Sequence, residues 1–147
     1  MDDVKNYPTT KCFDIEVYSN YGLPLGEAFQ LRDDLISVFG DSSITGKPAG
    51  DDLREGKRTV LVATTLSKAS TSQRELFLRN FGQPQLDLTQ IESMREIIVQ
   101  TGALANLEVL IEEMTLKART AIKHGEITPQ ADSLLDEMAV AATSRNS

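Results

Sequence analysis

The sequence contains no tryptophan, and it has one cysteine and one histidine in 147 residues. The lone Cys12 excludes a disulfide within the chain, and without a histidine near it in sequence it is a poor candidate nucleophile. The single histidine, His124, stands just before Gly125. We expect it to end a helix, where a cation interacts favourably with the helix dipole. Neither residue is therefore expected to carry catalytic chemistry.

Long apolar runs and basic clusters are also scarce. No apolar run approaches the roughly 20 residues that a membrane-spanning helix needs, so we expect no transmembrane segment and, by default, a cytoplasmic location. The chain has 15 basic against 22 acidic residues, which gives a net charge of −7. No basic stripe with interleaved aromatic residues is present, and aromatic residues make up only 5% of the chain. Nucleic acid is consequently not an expected partner.

The residues that are abundant favour an all-helical protein. Apolar residues make up 40% and charged residues 25%, as in ordinary soluble globular domains. Helix-favouring residue types such as Ala, Leu, Glu and Lys are plentiful, and periodic apolar positions predict about six helices and no strand. The stretch Cys12 to Ser19 fits either a helix or a strand.

Local signals predict where the later helices begin and end. Gly22 and Pro24 predict a break before a helix over residues 25–40, and residues 41–56 form a long glycine-containing connector. The remaining predicted boundaries are a capping box from Asp87 to Gln90 and a last helix that opens at Thr128 and Pro129.

The helix over residues 25–40 carries the most informative pattern. Apart from a stripe of polar residues that includes two adjacent aspartates, most of its residues are apolar, which is typical of a helix that is buried around most of its circumference. Two buried carboxylates need a cation, and Mg²⁺ prefers one or two carboxylates together with water and phosphate oxygens. The polar positions fall at i, i+3, i+4 and i+7, on one stripe: Gln30, Asp33, Asp34 and Ser37.

Two lysines on glycine-flanked turns follow this helix. Lys47 comes after Gly46 and Lys57 after Gly56, and a compact ammonium group suits phosphate. Metal-binding carboxylates and lysines across one cavity would form a diphosphate-binding site. The alternatives remain open from spacing alone: adjacent aspartates are usually a solvated helix face, and Lys47 alone is a surface lysine. Two further alternatives are that Asp51 and Asp52 cap the next helix and that Phe29 is a core residue.

The same residues carry a family resemblance. The runs GEAFQLRDD (26–34), FGD (39–41) and TGKPAGDDLREGKRT (45–59) resemble the second aspartate-rich region of the trans-isoprenyl diphosphate synthases, or polyprenyl synthetases. The resemblance extends over residues 21–145, and residues 1–20 diverge. It implies the carboxy-terminal part, over residues 21–147, of a bundle of antiparallel helices of the isoprenoid synthase type around a deep cavity.

The resemblance also implies an activity. Members of this family are prenyltransferases of isoprenoid biosynthesis, which condense isopentenyl diphosphate with an allylic diphosphate after Mg²⁺-assisted ionisation. The implied roles are metal binding by Asp33 and Asp34, allylic diphosphate binding by Lys47 and Lys57, and a cavity lining near the reacting carbons by Phe29 and Gln30.

Two departures from the family pattern qualify the expected activity. Ser37 stands where the family has a third aspartate, and Asp41, one turn on, could help through water. The first aspartate-rich motif is missing, since Asp2 and Asp3 lack the third aspartate and the arginines of that motif. We therefore expect a truncated synthase with little activity alone. The alternative is a non-catalytic subunit or helical interaction protein, and we expect a homodimer or a heterodimer with a full-length synthase.

Overall fold

A computed structural model describes residues 12–144, with side chains from residue 15 onward. The predicted acidic pair Asp2 and Asp3 lies outside the described residues. All regular secondary structure in this range is helical, which confirms the predicted all-α class and decides that Cys12 to Ser19 is helix. The helices are α1 (Cys12–Phe39), α2 (Ser42–Thr45), α3 (Asp51–Glu55), α4 (Val60–Lys68), α5 (Thr71–Asn80), α6 (Leu88–Gln100), α7 (Ala103–Lys123) and α8 (Pro129–Thr143).

Helix α1 runs through Pro24 without a break, so the break predicted at Gly22 and Pro24 is wrong. A proline inside a helix removes one backbone hydrogen bond and costs roughly 3 kcal/mol relative to alanine. Packing on both sides of the proline holds the helix together. Upstream, the buried Tyr21 donates a hydrogen bond from Oη to the Leu135 carbonyl at 2.7 Å. Downstream, Ala28 is fully buried in the main core.

The predicted connector after α1 contains two short helices, α2 and α3, which the sequence did not predict. Asp41 caps α2 by accepting a hydrogen bond from the Ser43 backbone N–H at 2.8 Å. Gly46 ends α2 with φ of 69°, a left-handed conformation that favours glycine. A turn-forming sequence rich in Asp, Ser and Gly thus supplies its own local hydrogen bonds.

Helix α3 begins at a glycine that no other residue would replace easily. Gly50 has φ of 68°, and a Cβ added there would lie 2.8 Å from Cγ2 of Ile91. Gly50 rather than an aspartate therefore occupies the N-cap, and Asp51 and Asp52 lie in the first turn of α3. The alternative that these aspartates are N-caps is wrong.

The boundaries of the later helices are as predicted. Asp87 and Gln90 form the capping box, with the Gln90 N–H bonded to Asp87 Oδ1 at 2.8 Å and the Asp87 N–H to Gln90 Oε1 at 3.0 Å. Thr128 caps α8, whose first residue is Pro129, and His124 is the C-cap of α7. These ends depend on residues three or four apart, which sequence reveals directly.

Helix α1 packs along α7, and α8 packs against both helices. Helices α3 and α4 also contact α1. The expectation that the helix over residues 25–40 is buried around most of its circumference holds for its second half only: residues 31–39 are all buried or half-buried, whereas Gly26, Glu27, Phe29 and Gln30 are exposed. Upstream of that segment, Ile15 is 63% and Leu23 70% exposed. No described helix is long and apolar enough to cross a membrane.

Candidate functional site

A cleft of about 410 Å³ lies between the carboxy-terminal half of α1 and the connector that carries α2 and α3. One wall comes from successive turns of α1, and the other comes from the connector and Lys57, two residues after α3. Four of the six predicted site residues line this cleft, together with polar side chains that sequence reasoning assigned less firmly. The polar lining side chains are Gln30, Asp33, Ser37, Thr45, Lys47, Asp52 and Lys57.

The two aspartates of the acidic pair have different surroundings. Asp33 is half-buried and lines the cleft. Asp34 is only 5% exposed and lies beside the cleft lining. Its Oδ1 accepts hydrogen bonds from Gln30 Nε2 at 3.1 Å and from Lys57 Nζ at 3.0 Å. The acidic pair thus presents one carboxylate to the cleft and holds the other in a network with a lysine.

Lys57 joins two helices through its ammonium group. Nζ lies 3.0 Å from Asp34 Oδ1 on α1 and 3.3 Å from Asp52 Oδ2 on α3, while 46% of the lysine side chain remains exposed. The hydrogen bond to Asp34 is the main cause that raises the pKa of Lys57 above its ordinary value. The ammonium group is therefore held charged at the cleft surface, where an anion could reach it.

Asp52 is a cleft-lining carboxylate that sequence reasoning missed, since it was considered only as a helix cap. It is 6% exposed and lines the cleft. Burial raises the pKa of this carboxyl, and the charge and hydrogen bond of Lys57 act in the opposite direction. Its local relation to Lys57 follows from Gly56, whose left-handed φ of 68° turns the chain so that the Lys57 N–H bonds to the Asp52 carbonyl at 2.9 Å. The approach of Asp34 to the same lysine had no signal in the sequence.

The other predicted residues take varied positions. Lys47 is exposed and lines the cleft, and its backbone N–H bonds to Thr45 Oγ1 at 3.3 Å. Ser37 also lines the cleft, at the place where the resemblance implies a third aspartate. Phe29 lies outside the cleft lining on the exposed side of α1, and Asp41 lies outside it as the cap of α2.

The chemistry of the lining residues fits Mg²⁺. Asp33 offers a carboxylate to the cleft, Asp34 offers a second one beside it, and Gln30 and Ser37 offer neutral oxygens. Within residues 12–144 no group of three or more His, Cys, Asp or Glu is arranged to hold a metal ion. Mg²⁺ does not require such a group, because it commonly uses one or two carboxylates, several waters and substrate phosphate oxygens. The lysines would face the same phosphates.

Comparisons with known proteins agree on one family. The family model described as polyprenyl synthetase matches residues 8–98, which is more than half of the chain. Among curated proteins, geranylgeranyl diphosphate synthase of Saccharolobus solfataricus is 37% identical over 84 residues, which cover 57% of this chain and 25% of that protein. Geranylfarnesyl diphosphate synthase of Aeropyrum pernix is 41% identical over 83 residues, covering 56% and 25%.

A solved structure gives the same result for the fold. Geranylgeranyl pyrophosphate synthase from Corynebacterium glutamicum, complexed with isoprenyl diphosphate and magnesium, superposes with a TM-score of 0.85 at 38% identity. The superposition covers 90% of this chain and 38% of that chain. The aligned part of the chain thus spans about a quarter of the curated relatives' length.

Proposed function

Since the chain belongs to the polyprenyl synthetase family, we propose that its cleft binds the diphosphate group of an allylic substrate in a prenyltransferase of isoprenoid biosynthesis. That membership confirms the resemblance noted in the sequence. The proposed reaction extends the allylic diphosphate with isopentenyl diphosphate. The observation that carries the proposal is that Asp33 and two lysines, Lys47 and Lys57, line one cleft of about 410 Å³.

The acidic side of the cleft is proposed to hold Mg²⁺. Asp33 reaches the cleft directly, and Asp34 becomes a ligand when its contact with Lys57 loosens. When bound, the metal would act as a Lewis acid that neutralises charge on the departing diphosphate. Gln30 holds Asp34 Oδ1 at 3.1 Å and so restricts the orientation of that carboxylate.

The basic side of the cleft is proposed to bind the diphosphate oxygens. Lys47 is exposed on a turn between Gly46 and Pro48, which limits the freedom of its backbone. Lys57 is held charged by two carboxylates. Ammonium groups act on phosphate as point charges, and their attraction is strongest in a cleft that excludes bulk water. Phe29, exposed beside Gln30, is proposed to contact the hydrocarbon part of the substrate.

We further propose that the 147-residue chain alone turns over slowly. Asp33 and Asp34 would bind one side of a diphosphate, and a chain that covers 38% of a related synthase has only part of the matching structure. Full charge neutralisation of a leaving diphosphate requires several cations held in place at once. Binding of Mg²⁺ and diphosphate is therefore expected to survive better than condensation.

Binding is the direct test. Titration calorimetry of the chain with inorganic pyrophosphate should show binding that requires Mg²⁺. Asp33→Asn and Lys47→Met should each weaken it about tenfold, the loss of roughly 1.4 kcal/mol. Glu27→Gln, on an exposed turn of α1, and Lys68→Met, at the end of α4, are the matched controls and should bind as the wild type does. Equal affinity in Asp33→Asn and in the wild type would refute the proposed metal site.

Condensation is tested separately with Mg²⁺, isopentenyl diphosphate and geranyl diphosphate. We expect little product from the chain alone. Fast product formation that Asp33→Ala abolishes would contradict the proposed slow turnover while supporting the site itself.

A second candidate function is a subunit that pairs with a full-length synthase or with a second copy of this chain. The observation that favours it is the exposed apolar side of α1, where Ile15 is 63% and Leu23 70% exposed. Contiguous exposed apolar surface marks interaction sites in soluble proteins. Co-expression with a full-length synthase from the same organism, followed by size-exclusion chromatography, tests the pairing. A monomer that elutes apart from the synthase would exclude it.

A further inference from the structure

We propose that Asp52 is a positioning residue, which holds the Lys57 ammonium group in the cleft so that it remains directed at the diphosphate when Mg²⁺ engages Asp34. This inference rests on the proposed function of the cleft. It assigns a role to a carboxylate that the acidic stripe of α1 does not include.

The first support is that Asp52 contacts the lysine twice. Its Oδ2 lies 3.3 Å from Lys57 Nζ, and its carbonyl accepts a hydrogen bond from the Lys57 backbone N–H at 2.9 Å. A long, flexible lysine side chain carries considerable rotamer entropy, and contacts at both its backbone and its ammonium group restrict it. Both ends of Lys57 are therefore fixed to the same residue of α3.

The second support is the burial of Asp52. The residue is 6% exposed, and a buried carboxylate is costly unless a cation and hydrogen bonds compensate it. Lys57 supplies that compensation, so moving the lysine away would leave the buried Asp52 carboxylate without a cation. Leu53, the next residue, is fully buried in the core and fixes α3 against the rest of the protein.

The third support is that the two carboxylates that contact Lys57 lie on different walls of the cleft and would have different roles. Asp34 belongs to the acidic pair, and a metal ion bound there would compete with the ammonium group for the same oxygen. Asp52 lies on the opposite wall and would keep its contact. Lys57 would then lose its hydrogen bond to Asp34 and could donate one to an anionic phosphate oxygen instead. One charge-assisted hydrogen bond would replace another.

Asp51 provides an unusually close control. It adjoins Asp52 in the first turn of α3, so both carboxylates lie near the amino-terminal end of the same short helix. Asp51 lies outside the cleft lining, and the ion pairs of Lys57 run to Asp34 and Asp52. Asn at position 51 or 52 removes one charge from the same turn, but only the change at position 52 removes an ion-pair partner of the lysine.

The first experiment needs no ligand. Brief acetylation with acetic anhydride, quantified by mass spectrometry, compares the reactivity of Lys57 with that of Lys47 as an internal standard. We expect Lys57 to react more slowly than Lys47 in the wild type, and to react several-fold faster in Asp52→Asn, because its ammonium group then loses one of the two carboxylates that hold it. Asp51→Asn should leave the ratio unchanged.

The second experiment is a double-mutant cycle on Mg²⁺-dependent pyrophosphate binding. Asp52→Asn should weaken binding about tenfold when Lys57 is present and less than about twofold in the Lys57→Gln background, because a positioning residue acts only through its partner. An equal loss in both backgrounds, or no loss in either, overturns the proposal. Should Asp52→Asn lose its helical circular dichroism, the wild-type labelling ratio decides, since equal reactivity of Lys57 and Lys47 refutes the pairing.

The two experiments separate this inference from the proposed function. If the wild type does not bind pyrophosphate with Mg²⁺ but Lys57 is protected in the Asp52-dependent manner, the proposed function fails and the positioning contact stands. If the wild type binds pyrophosphate with Mg²⁺ but Asp52→Asn leaves the labelling ratio of Lys57 to Lys47 unchanged, the positioning role fails and the site stands.

Discussion

Arg32 and Glu108 form a two-point ion pair that joins α1 to α7 immediately before the acidic pair of the cleft. Nη1 and Nη2 of the arginine donate to the two carboxylate oxygens at 3.0 and 2.9 Å, and Nε donates to the Thr143 carbonyl at 2.9 Å. One side chain thus fixes α1 to α7 and to the end of α8. The residue after Arg32 is Asp33, so this contact also sets which way the acidic pair faces.

Arg32→Gln is expected to destabilise the chain by about 1–3 kcal/mol, because it leaves a carbonyl and a partly buried carboxylate without their donors. Urea denaturation followed by circular dichroism measures the change. Arg79→Gln, at an exposed arginine of α5, is the control and should cost less. A free energy of unfolding unchanged by Arg32→Gln would show that the ion pair contributes nothing.

Gly50→Ala and Gly46→Ala test the connector, because the two glycines share the same left-handed conformation, with φ of 68° and 69°. A Cβ at position 46 meets nothing within 4 Å, whereas one at position 50 lies 2.8 Å from Ile91 Cγ2. We expect Gly46→Ala to lower the free energy of unfolding by about 1 kcal/mol, through conformational strain alone. Gly50→Ala should lower it by roughly 2–4 kcal/mol, because overpacking adds to the strain. Chemical denaturation gives both free energies of unfolding, and equal costs would contradict the close approach of Gly50 to Ile91.

The Arg119–Asp136 ion pair between α7 and α8 predicts a pH dependence of stability. Hydrogen bonds from Arg119 hold the pKa of Asp136 below its ordinary value of 3.8. A lowered carboxyl pKa contributes stability above pH 3.8, and this contribution is lost as the pH falls through the lowered value. Asp136→Asn should therefore lower the melting temperature modestly at pH 6, and the difference should vanish in acid. Glu137→Gln, at an exposed neighbour, should show no such convergence.

Ser37→Asp is expected to strengthen Mg²⁺-dependent pyrophosphate binding. Ser37 lines the cleft one turn after Asp33, so the substitution adds a carboxylate to the same side of α1. An additional hard oxygen ligand should raise the affinity about tenfold, or roughly 1.4 kcal/mol. Ser67→Asp, at an exposed position of α4, controls for the added charge. Unchanged or weaker binding in Ser37→Asp would argue against metal binding along this stripe.

The sequence by itself determined the features that depend on nearby residues. The capping box of Asp87 and Gln90 and the start of α8 at Thr128 were predicted because their hydrogen bonds join residues three apart. The polar stripe with Asp33 was readable from the helical period, and its motif indicated the family, which the comparisons confirm. Lys47 was expected in the same cavity from its glycine-flanked turn, and it lines the cleft.

Tertiary structure alone decided the rest. Helix α1 continues through Pro24 because packing against α7 and α8 compensates a strong local preference for a break. Asp52 enters the cleft because its lysine also contacts Asp34, which lies 23 residues before Lys57. Residues this far apart in sequence are not related by the helical period, so a sequence pattern cannot reveal their contact. The positions of helices and their caps depend on residues that are close in sequence. The partner of a buried charge depends instead on which surfaces the folded chain brings together.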